Sequence, residues 1–181
     1  MQHIYENLSK SVPLGEMTLQ RDNLAFITLE RAHLRAALQH LRDREGYSHL
    51  VLLTAVDWIE EGQFQLTYLV SNRQANKDVG LRVLLAREDA RMDSIHDLWP
   101  TAATYQRELR EMFGIDFPGS PRLNEEFILE GWQEIPPYRR DFDTKVYAEQ
   151  NFSHREGRVT KDPAQHMKAQ LYPAKPEQGG V

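Results

Sequence analysis

Apolar residues at helical spacing predict two amphipathic helices in this chain. The first covers residues 30–45 and is followed by Gly46, a residue that readily ends a helix. The second begins near Ala102, places charged residues on its opposite side, and is followed by Gly114. The apolar stripes consist of Leu34, Ala37, Leu38 and Leu41 in the first helix, and of Ala102, Tyr105, Leu109 and Met112 in the second.

Short runs of aliphatic, β-branched and aromatic residues predict strands at 24–29, 48–58, 63–71 and 79–86. The connection Glu60-Glu61-Gly62 is short and contains glycine, which predicts an antiparallel hairpin between the second and third strands. Residues 91–98 are expected to form a short turn or helix, capped by Asp93 or Ser94. This order of elements indicates an α+β domain with a mostly antiparallel or mixed sheet packed by helices.

The pattern divides the chain into three parts. Residues 1–22 form an N-terminal lead-in, helical or irregular, residues 23–118 form the α+β core domain, and residues 119–181 form an extended C-terminal segment that wraps a partner. Beyond Asp143 the chain has too few aliphatic residues to build a core, so this tail is expected to be extended or disordered in isolation. Separated apolar anchors nevertheless predict that it becomes ordered along the partner, and these anchors are Val146, Tyr147, Phe152, Val159, Met167, Leu171 and Tyr172.

Composition excludes several classes of protein. The formal charge of −5 leaves no broad basic surface for nucleic acid or anionic lipid. The absence of cysteine removes disulfides, thiolate nucleophiles and cysteine-ligated zinc or iron-sulfur sites. The longest apolar run, residues 50–56, is too short to cross a bilayer, and residues 1–6 lack the pattern of a signal peptide. Any attachment to a membrane is therefore expected to run through another chain.

Candidate catalytic and metal-binding groups are few. His33 and His40 are seven residues apart on one helix, which separates them by about 10 Å along its axis, too far to share one ion. Asp57 with Glu60 and Glu61 is a possible acid–base set, although adjacent residues on a turn diverge. Neither a dinucleotide-binding nor a phosphate-binding glycine motif occurs. The three tryptophans are interpreted as packing residues, because the chain around them is acidic.

The region from 99 to 143 is interpreted as a docking device. It combines the second helix, a Pro-Gly-Ser-Pro turn at 118–121, and the mixed-charge group Arg139-Arg140-Asp141. Arg107 and Glu111 are four residues apart and able to form a surface ion pair. Because two prolines stiffen the approach to the Arg-Arg-Asp group, one of its guanidinium groups is expected to enter an interface and pair with a carboxylate.

The same region resembles the 30 kDa subunit, also called the C subunit, of proton-pumping NADH:quinone oxidoreductase, respiratory complex I. The resemblance starts from Arg107-Glu108, the run from Glu111 to Ile115, and Phe117, Gly119 and Pro121. It extends over residues 50–143 through Asp57-Trp58, residues 64–71, residues 127–129 and the Arg-Arg-Asp-Phe group. The residues that it implies at the partner interface are Arg107, Glu108, Glu111, Phe113, Gly114, Pro121, Trp132, Arg139, Arg140 and Asp141.

The resemblance implies a non-catalytic structural subunit of the peripheral arm, on the cytoplasmic side of the inner (plasma) membrane. It implies no cofactor in this chain, with iron-sulfur clusters, FMN and quinone in partner subunits, chiefly the large quinone-site subunit, known as the D subunit, and iron-sulfur subunits. Homologous subunits also serve membrane-bound energy-converting nickel-iron hydrogenases, which stay open as the alternative. From the residues alone, a free-standing small enzyme that uses Asp57, Glu60 and a histidine also stays open.

Overall fold

Five strands form one mixed sheet in the computed structural model, which describes residues 1–152. In spatial order these are β1 (Met17–Arg21), β2 (Leu24–Thr28), β5 (Lys77–Ala86), β4 (Gln63–Asn72) and β3 (His49–Trp58). Strands β2 and β5 are parallel, and the other neighbouring pairs are antiparallel. This arrangement confirms the predicted α+β fold, its mixed sheet and the β3–β4 hairpin.

Three helices pack with one face of the sheet into a single core. They are α1 (Gln2–Ser9), α2 (Leu34–Arg44), which follows a 3₁₀ turn, and α3 (Ala102–Phe113). Both predicted helices are therefore confirmed, and Gly114 ends α3 in the left-handed conformation with φ of 78°. The sheet supplies to this core the buried side chains of Ile27, Leu53, Ala55, Phe64, Leu66, Tyr68, Val70, Val79, Leu81, Val83 and Leu85.

The opposite face of the sheet, called the outer face below, is not covered by α1, α2 or α3. Side chains alternate between the two faces of a strand, so Leu84 is 46% exposed between the buried Val83 and Leu85. The outer face comprises the residues that alternate with the core positions of β2 to β5, among them Phe26, Thr54, Val56, Trp58, Gln65, Thr67, Leu69, Arg82 and Leu84.

Residues 1–22 belong to the sheet and the core. The side chains of Ile4, Leu8 and Val12 are buried in the core, and β1 is a strand that the sequence pattern does not predict. The pattern misses β1 because it is an edge strand with mostly exposed side chains, so no alternation of apolar and polar residues marks it. The compact unit extends from Met1 to Phe142 and thus includes the predicted lead-in and residues 119–142.

The second unit begins at Asp143, and of this unit the structure describes residues 143–152. The prediction of an extended chain is wrong for its first part, which forms helix α4 (Thr144–Asn151). The Asp143 carboxylate accepts hydrogen bonds from the backbone N–H groups of Lys145 at 2.9 Å and Val146 at 3.1 Å, and so caps the helix. Of the predicted anchors, Val159, Met167, Leu171 and Tyr172 lie outside the described residues.

Close packing on the outer face requires a glycine in β5. A Cβ atom at Gly80 would lie 2.3 Å and 2.5 Å from two ring atoms of Phe26. We expect Gly80→Ala to lower the free energy of unfolding by about 1.5 kcal/mol, because the ring must move out of its packed position. Chemical denaturation measures this change, and Phe26→Leu in the same chain should restore part of it. An unchanged denaturation midpoint in the single variant would contradict the expectation.

Candidate docking site

Residues 115–142, called the docking segment below, are attached to the C-terminal end of α3. The Gly114 N–H donates to the carbonyl of Arg110 at 3.0 Å, and the Tyr138 N–H donates to the carbonyl of Met112 at 3.0 Å. The Phe113 ring packs edge-on against Phe64 of β4, at 6.0 Å between ring centroids, and against Tyr138, at 5.7 Å. The end of α3 therefore joins the docking segment to the sheet.

Glu111 holds the middle of the docking segment. Its carboxylate accepts hydrogen bonds from three successive backbone N–H groups, those of Phe127 at 2.6 Å, Ile128 at 2.8 Å and Leu129 at 3.1 Å. The predicted pair with Arg107 is wrong, because Arg107 lies 4.0 Å from Glu125 and over the Phe127 ring, while Glu111 binds backbone. Hydrogen bonds to an ionised acceptor are stronger than neutral ones, so this carboxylate fixes an irregular loop.

Asp57 holds the C-terminal part of the docking segment. Its side chain is 1% exposed, and its oxygens lie 2.9 Å and 3.0 Å from Nε and Nη2 of Arg87. The backbone N–H of Arg140 donates to the same carboxylate at 2.9 Å. Arg87 Nη2 also donates to Asp141 at 3.0 Å, so one buried pair joins β3, the turn after β5 and the docking segment.

Arg139, Arg140 and Asp141 are paired within the chain. Arg139 Nε lies 3.2 Å from Asp141, and Arg140 Nη1 lies 2.5 Å from Glu60 in a half-exposed pair. Burial raises the pKa of Asp141, but the hydrogen bond from Arg139 and the charges of Arg139 and Arg87 outweigh it and lower that pKa. The stabilisation that Asp141 provides is therefore present above its unfolded-state pKa and is lost as the pH falls through its folded-state pKa.

The predicted interface residues fall into two groups. Arg107, Glu108, Glu111, Phe113 and Gly114 lie on the last turns of α3 or just after it, whereas Arg139, Arg140 and Asp141 lie at Asp57. Trp132 lies inside the docking segment, where its Nε1–H donates to the Ile135 carbonyl at 3.1 Å and its ring packs edge-on against Phe142. Pro121 is exposed at the turn.

Sequence reasoning missed the structural role of Asp57 and Arg87. The sequence makes Asp57 a candidate acid–base group, but its carboxylate is committed to a guanidinium and a backbone N–H. A signal for this role exists in β3, because Asp57 has the same strand parity as the buried Leu53 and Ala55. A carboxylate at a core-facing position needs an internal partner.

The surface of the docking segment suits contact with another protein. The large apolar or aromatic side chains of Ile128, Ile135 and Tyr138 are exposed. A shallow apolar groove beside the segment is lined by Ala55, Val56, Asp57, Phe113, Tyr138 and Arg140.

Within residues 1–152, histidine, aspartate and glutamate do not form a group of three that could hold a metal ion. None of the helices in that range has the length and apolar composition to cross a bilayer.

Comparison with known proteins identifies similarity to the C subunits of NADH-quinone oxidoreductases. The C subunit of Rhodobacter capsulatus is 33% identical over 159 residues, which cover 86% of this chain and 75% of that protein. The C subunit of Novosphingobium aromaticivorans is 31% identical over 141 residues, which cover 77% of this chain and 45% of that protein. The C/D subunit of Acidiphilium cryptum is 33% identical over 153 residues, covering 78% and 26%. The matched part of the chain thus spans about half the length of the Novosphingobium protein and about a quarter of the length of the Acidiphilium protein.

Two solved structures share the fold. A chain of the membrane-bound sulfane sulfur reductase, an archaeal respiratory membrane complex, has a TM-score of 0.76 at 24% identity, covering 90% of this chain and 96% of that chain. The trypsin-resistant fragment (1-134) of Nqo5 has a TM-score of 0.55 at 22% identity, covering 66% and 96%. The family model "Respiratory-chain NADH dehydrogenase, 30 Kd subunit" matches residues 27–148. The chain belongs to this 30 Kd subunit family.

Proposed function

We propose that this chain is a non-catalytic structural subunit of the peripheral arm of a proton-pumping NADH:quinone oxidoreductase, where it supports electron transfer to quinone. The observation that carries the proposal is the family match over residues 27–148, which includes the whole docking segment. In this proposal the iron-sulfur clusters, FMN and quinone are bound by partner subunits. The chain keeps those partners in fixed positions, as electron transfer between neighbouring centres requires.

The architecture of the site favours docking over catalysis. Asp57, the best candidate for an acid–base group, is buried in an ion pair, and Glu111 is occupied by three backbone N–H groups. Both carboxylates hold the docking segment in one conformation. A segment that is ordered before assembly loses less conformational entropy on binding, which strengthens an interface without additional contacts.

The proposed partners are the large quinone-site subunit, known as the D subunit, and iron-sulfur subunits. The Acidiphilium cryptum relative is named as a C/D subunit, a name that joins the C and D subunits in one protein. This supports the D subunit as the neighbour of the C subunit. The proposed location is the cytoplasmic side of the inner membrane, with attachment to the membrane through these partners.

A tagged copy of the chain, purified from detergent-solubilised native membranes, tests this function by mass spectrometry of the chains that accompany it. We expect iron-sulfur, flavin and proton-pumping membrane subunits. A nickel-bearing large subunit among them would instead assign the chain to a membrane-bound energy-converting nickel-iron hydrogenase, the alternative that the family resemblance leaves open. Recovery of the tagged chain alone would reject both functions and reopen that of a free-standing enzyme.

Arg140→Ala is expected to weaken assembly with the partner subunits while the unfolding midpoint of the free chain stays nearly unchanged. The Arg140 side chain forms one half-exposed pair with Glu60, and its bond to Asp57 uses the backbone N–H, which alanine retains. The measurement compares recovery of the complex with thermal unfolding of the free chain. Arg44→Ala, at an exposed position of α2, serves as the control. Normal assembly of the Arg140 variant would contradict the interface role.

A further inference from the structure

The outer face of the sheet has the composition of an interface. Val56 and Trp58 of β3 and Leu84 of β5 are 41%, 40% and 46% exposed. They lie in adjacent cross-strand rows, because Val56 pairs with Gln65 and Gln65 with Leu84, while Trp58 pairs with Gln63 and Gln63 with Ala86. The solvated side of an antiparallel sheet is ordinarily polar, so three large apolar side chains that are each at least 40% exposed, on either side of Gln63 and Gln65, favour a contact surface here.

Arg82 provides a positive charge at the centre of this face. Its guanidinium carbon lies 4.0 Å from the centroid of the Phe26 ring, so the planar group is stacked and oriented. Among residues 1–142 it has neither an ion-pair partner nor a side-chain hydrogen bond, and its Nε atom is buried without a partner. Its cross-strand neighbours, Thr67 on β4 and Thr28 on β2, carry hydroxyl groups and no charge.

We propose that the outer face is covered in the assembled complex by a partner subunit whose apolar surface presents a carboxylate to Arg82. A stacked guanidinium is already oriented to form two parallel hydrogen bonds with a carboxylate. Leu84 and Val56 lie in the cross-strand row next to that of Arg82, so a partner that covers them excludes water from this side of the pair, which strengthens it. This inference rests on the proposed function, because it assigns one surface of this chain to a partner within that assembly.

A second copy of this chain fits the face less well than a different protein. In a face-to-face pair with the two β5 strands directly opposed, Arg82 meets the other Arg82 in the unshifted register, and the one carboxylate that β5 offers it on this face is that of Asp78, after a shift along the strand. The first arrangement opposes two like charges. The second sets Leu84 against Asn76 in the polar turn 73–76, so Leu84 meets no apolar side chain of β5. A different protein can present a carboxylate to Arg82 and apolar side chains to Val56, Trp58 and Leu84.

A unique cysteine tests whether the face is covered, because the chain has no native cysteine. Leu84→Cys is introduced on the outer face and Ala36→Cys at an exposed position of α2, on the helical side of the sheet. In the free chain both variants should react rapidly with a maleimide. In the purified complex we expect the reaction of Leu84→Cys to slow at least tenfold, and a short cysteine-reactive cross-linker at this position should join this chain to a different subunit.

Charge variants test the pairing of Arg82. We expect Arg82→Glu to reduce recovery of the complex at least tenfold. Arg82→Lys should reduce it less, because lysine keeps the positive charge but cannot donate two parallel hydrogen bonds to one carboxylate. Arg44→Glu makes the same change of charge on exposed α2 and should have no effect. Thermal unfolding of each free variant shows whether the fold is intact. Recovery of Arg82→Glu equal to that of Arg44→Glu would overturn the pairing.

The outcomes separate this inference from the proposed function. If the unsubstituted chain recovers complex subunits while Leu84→Cys in the complex reacts as fast as in the free chain, the outer face is uncovered and the inference fails alone. A cross-link from Leu84→Cys to another copy of this chain would also overturn it. If the unsubstituted chain recovers no other subunit, it is the proposed function that fails.

Discussion

Asp57→Ala is expected to lower the free energy of unfolding by about 4 kcal/mol, because removing one member of a buried ion pair leaves the other charge without its partner. In this variant Arg87 keeps the carboxylate of Asp141 but loses that of Asp57, and the backbone N–H of Arg140 loses its acceptor. Chemical denaturation of the full chain measures the change. Relative to the unsubstituted chain, hydrogen exchange should accelerate more at the Arg140 amide than at core amides of β4, since the docking segment loses its attachment to β3.

Two further variants distinguish the ion pair from general damage to β3. Asp57→Asn should cost less than Asp57→Ala, because the amide oxygen can still accept one hydrogen bond. Glu60→Ala removes an exposed carboxylate three residues away and should leave the denaturation midpoint nearly unchanged. If Asp57→Ala were as stable as Glu60→Ala, the buried pair would not hold the docking segment.

Glu111→Ala is expected to release the loop around residues 127–129 and to lower the free energy of unfolding by about 3 kcal/mol. The carboxylate accepts three backbone hydrogen bonds, and bonds to a charged acceptor contribute about 1.5–3 kcal/mol each, of which water recovers a part once the loop opens. The three amide groups of Phe127, Ile128 and Leu129 should lose protection against hydrogen exchange together.

Glu108 is the control for this prediction, since it is a glutamate on the same helix with no ion pair or hydrogen bond from its side chain within the described residues. Glu108→Ala should leave exchange at 127–129 unchanged. Glu111→Gln should give an intermediate result, because one amide oxygen replaces two charged acceptors. Exchange at the three amides that is equal in Glu111→Ala and Glu108→Ala would show that the loop is held by packing of Phe127 and Leu129 instead.

Local pattern determined most of the fold. Helix α2 and helix α3, the β3–β4 hairpin and the glycine that ends α3 all depend on contacts between residues close in sequence, so periodicity and turn residues reveal them. The sequence pattern did not predict strand β1, and it predicted an extended chain where helix α4 forms. An exposed edge strand carries no apolar alternation, and α4 depends on a single capping residue, Asp143, rather than on an apolar stripe.

The candidate site was located by sequence but not explained by it. The region 99–143 contains the residues that the family resemblance singled out, and the structure places them in two groups around Glu111 and Asp57. Arg139 and Asp141, predicted to meet a partner, are paired with each other, and Arg140 is paired with Glu60. The charged side chains that remain available to a partner can be identified only once the ion pairs within the chain are known.

The sequence by itself determined the α+β class, the helices and the main strands, and the family of the chain. Only the tertiary structure decided the partners of the polar groups. Asp57 reaches Arg87, 30 residues away, and Arg140, 83 residues away, and Glu111 reaches a loop 16 to 18 residues later. Such pairs have no local signature, because a hydrogen bond depends on distance in space, and the fold sets that distance independently of separation along the chain.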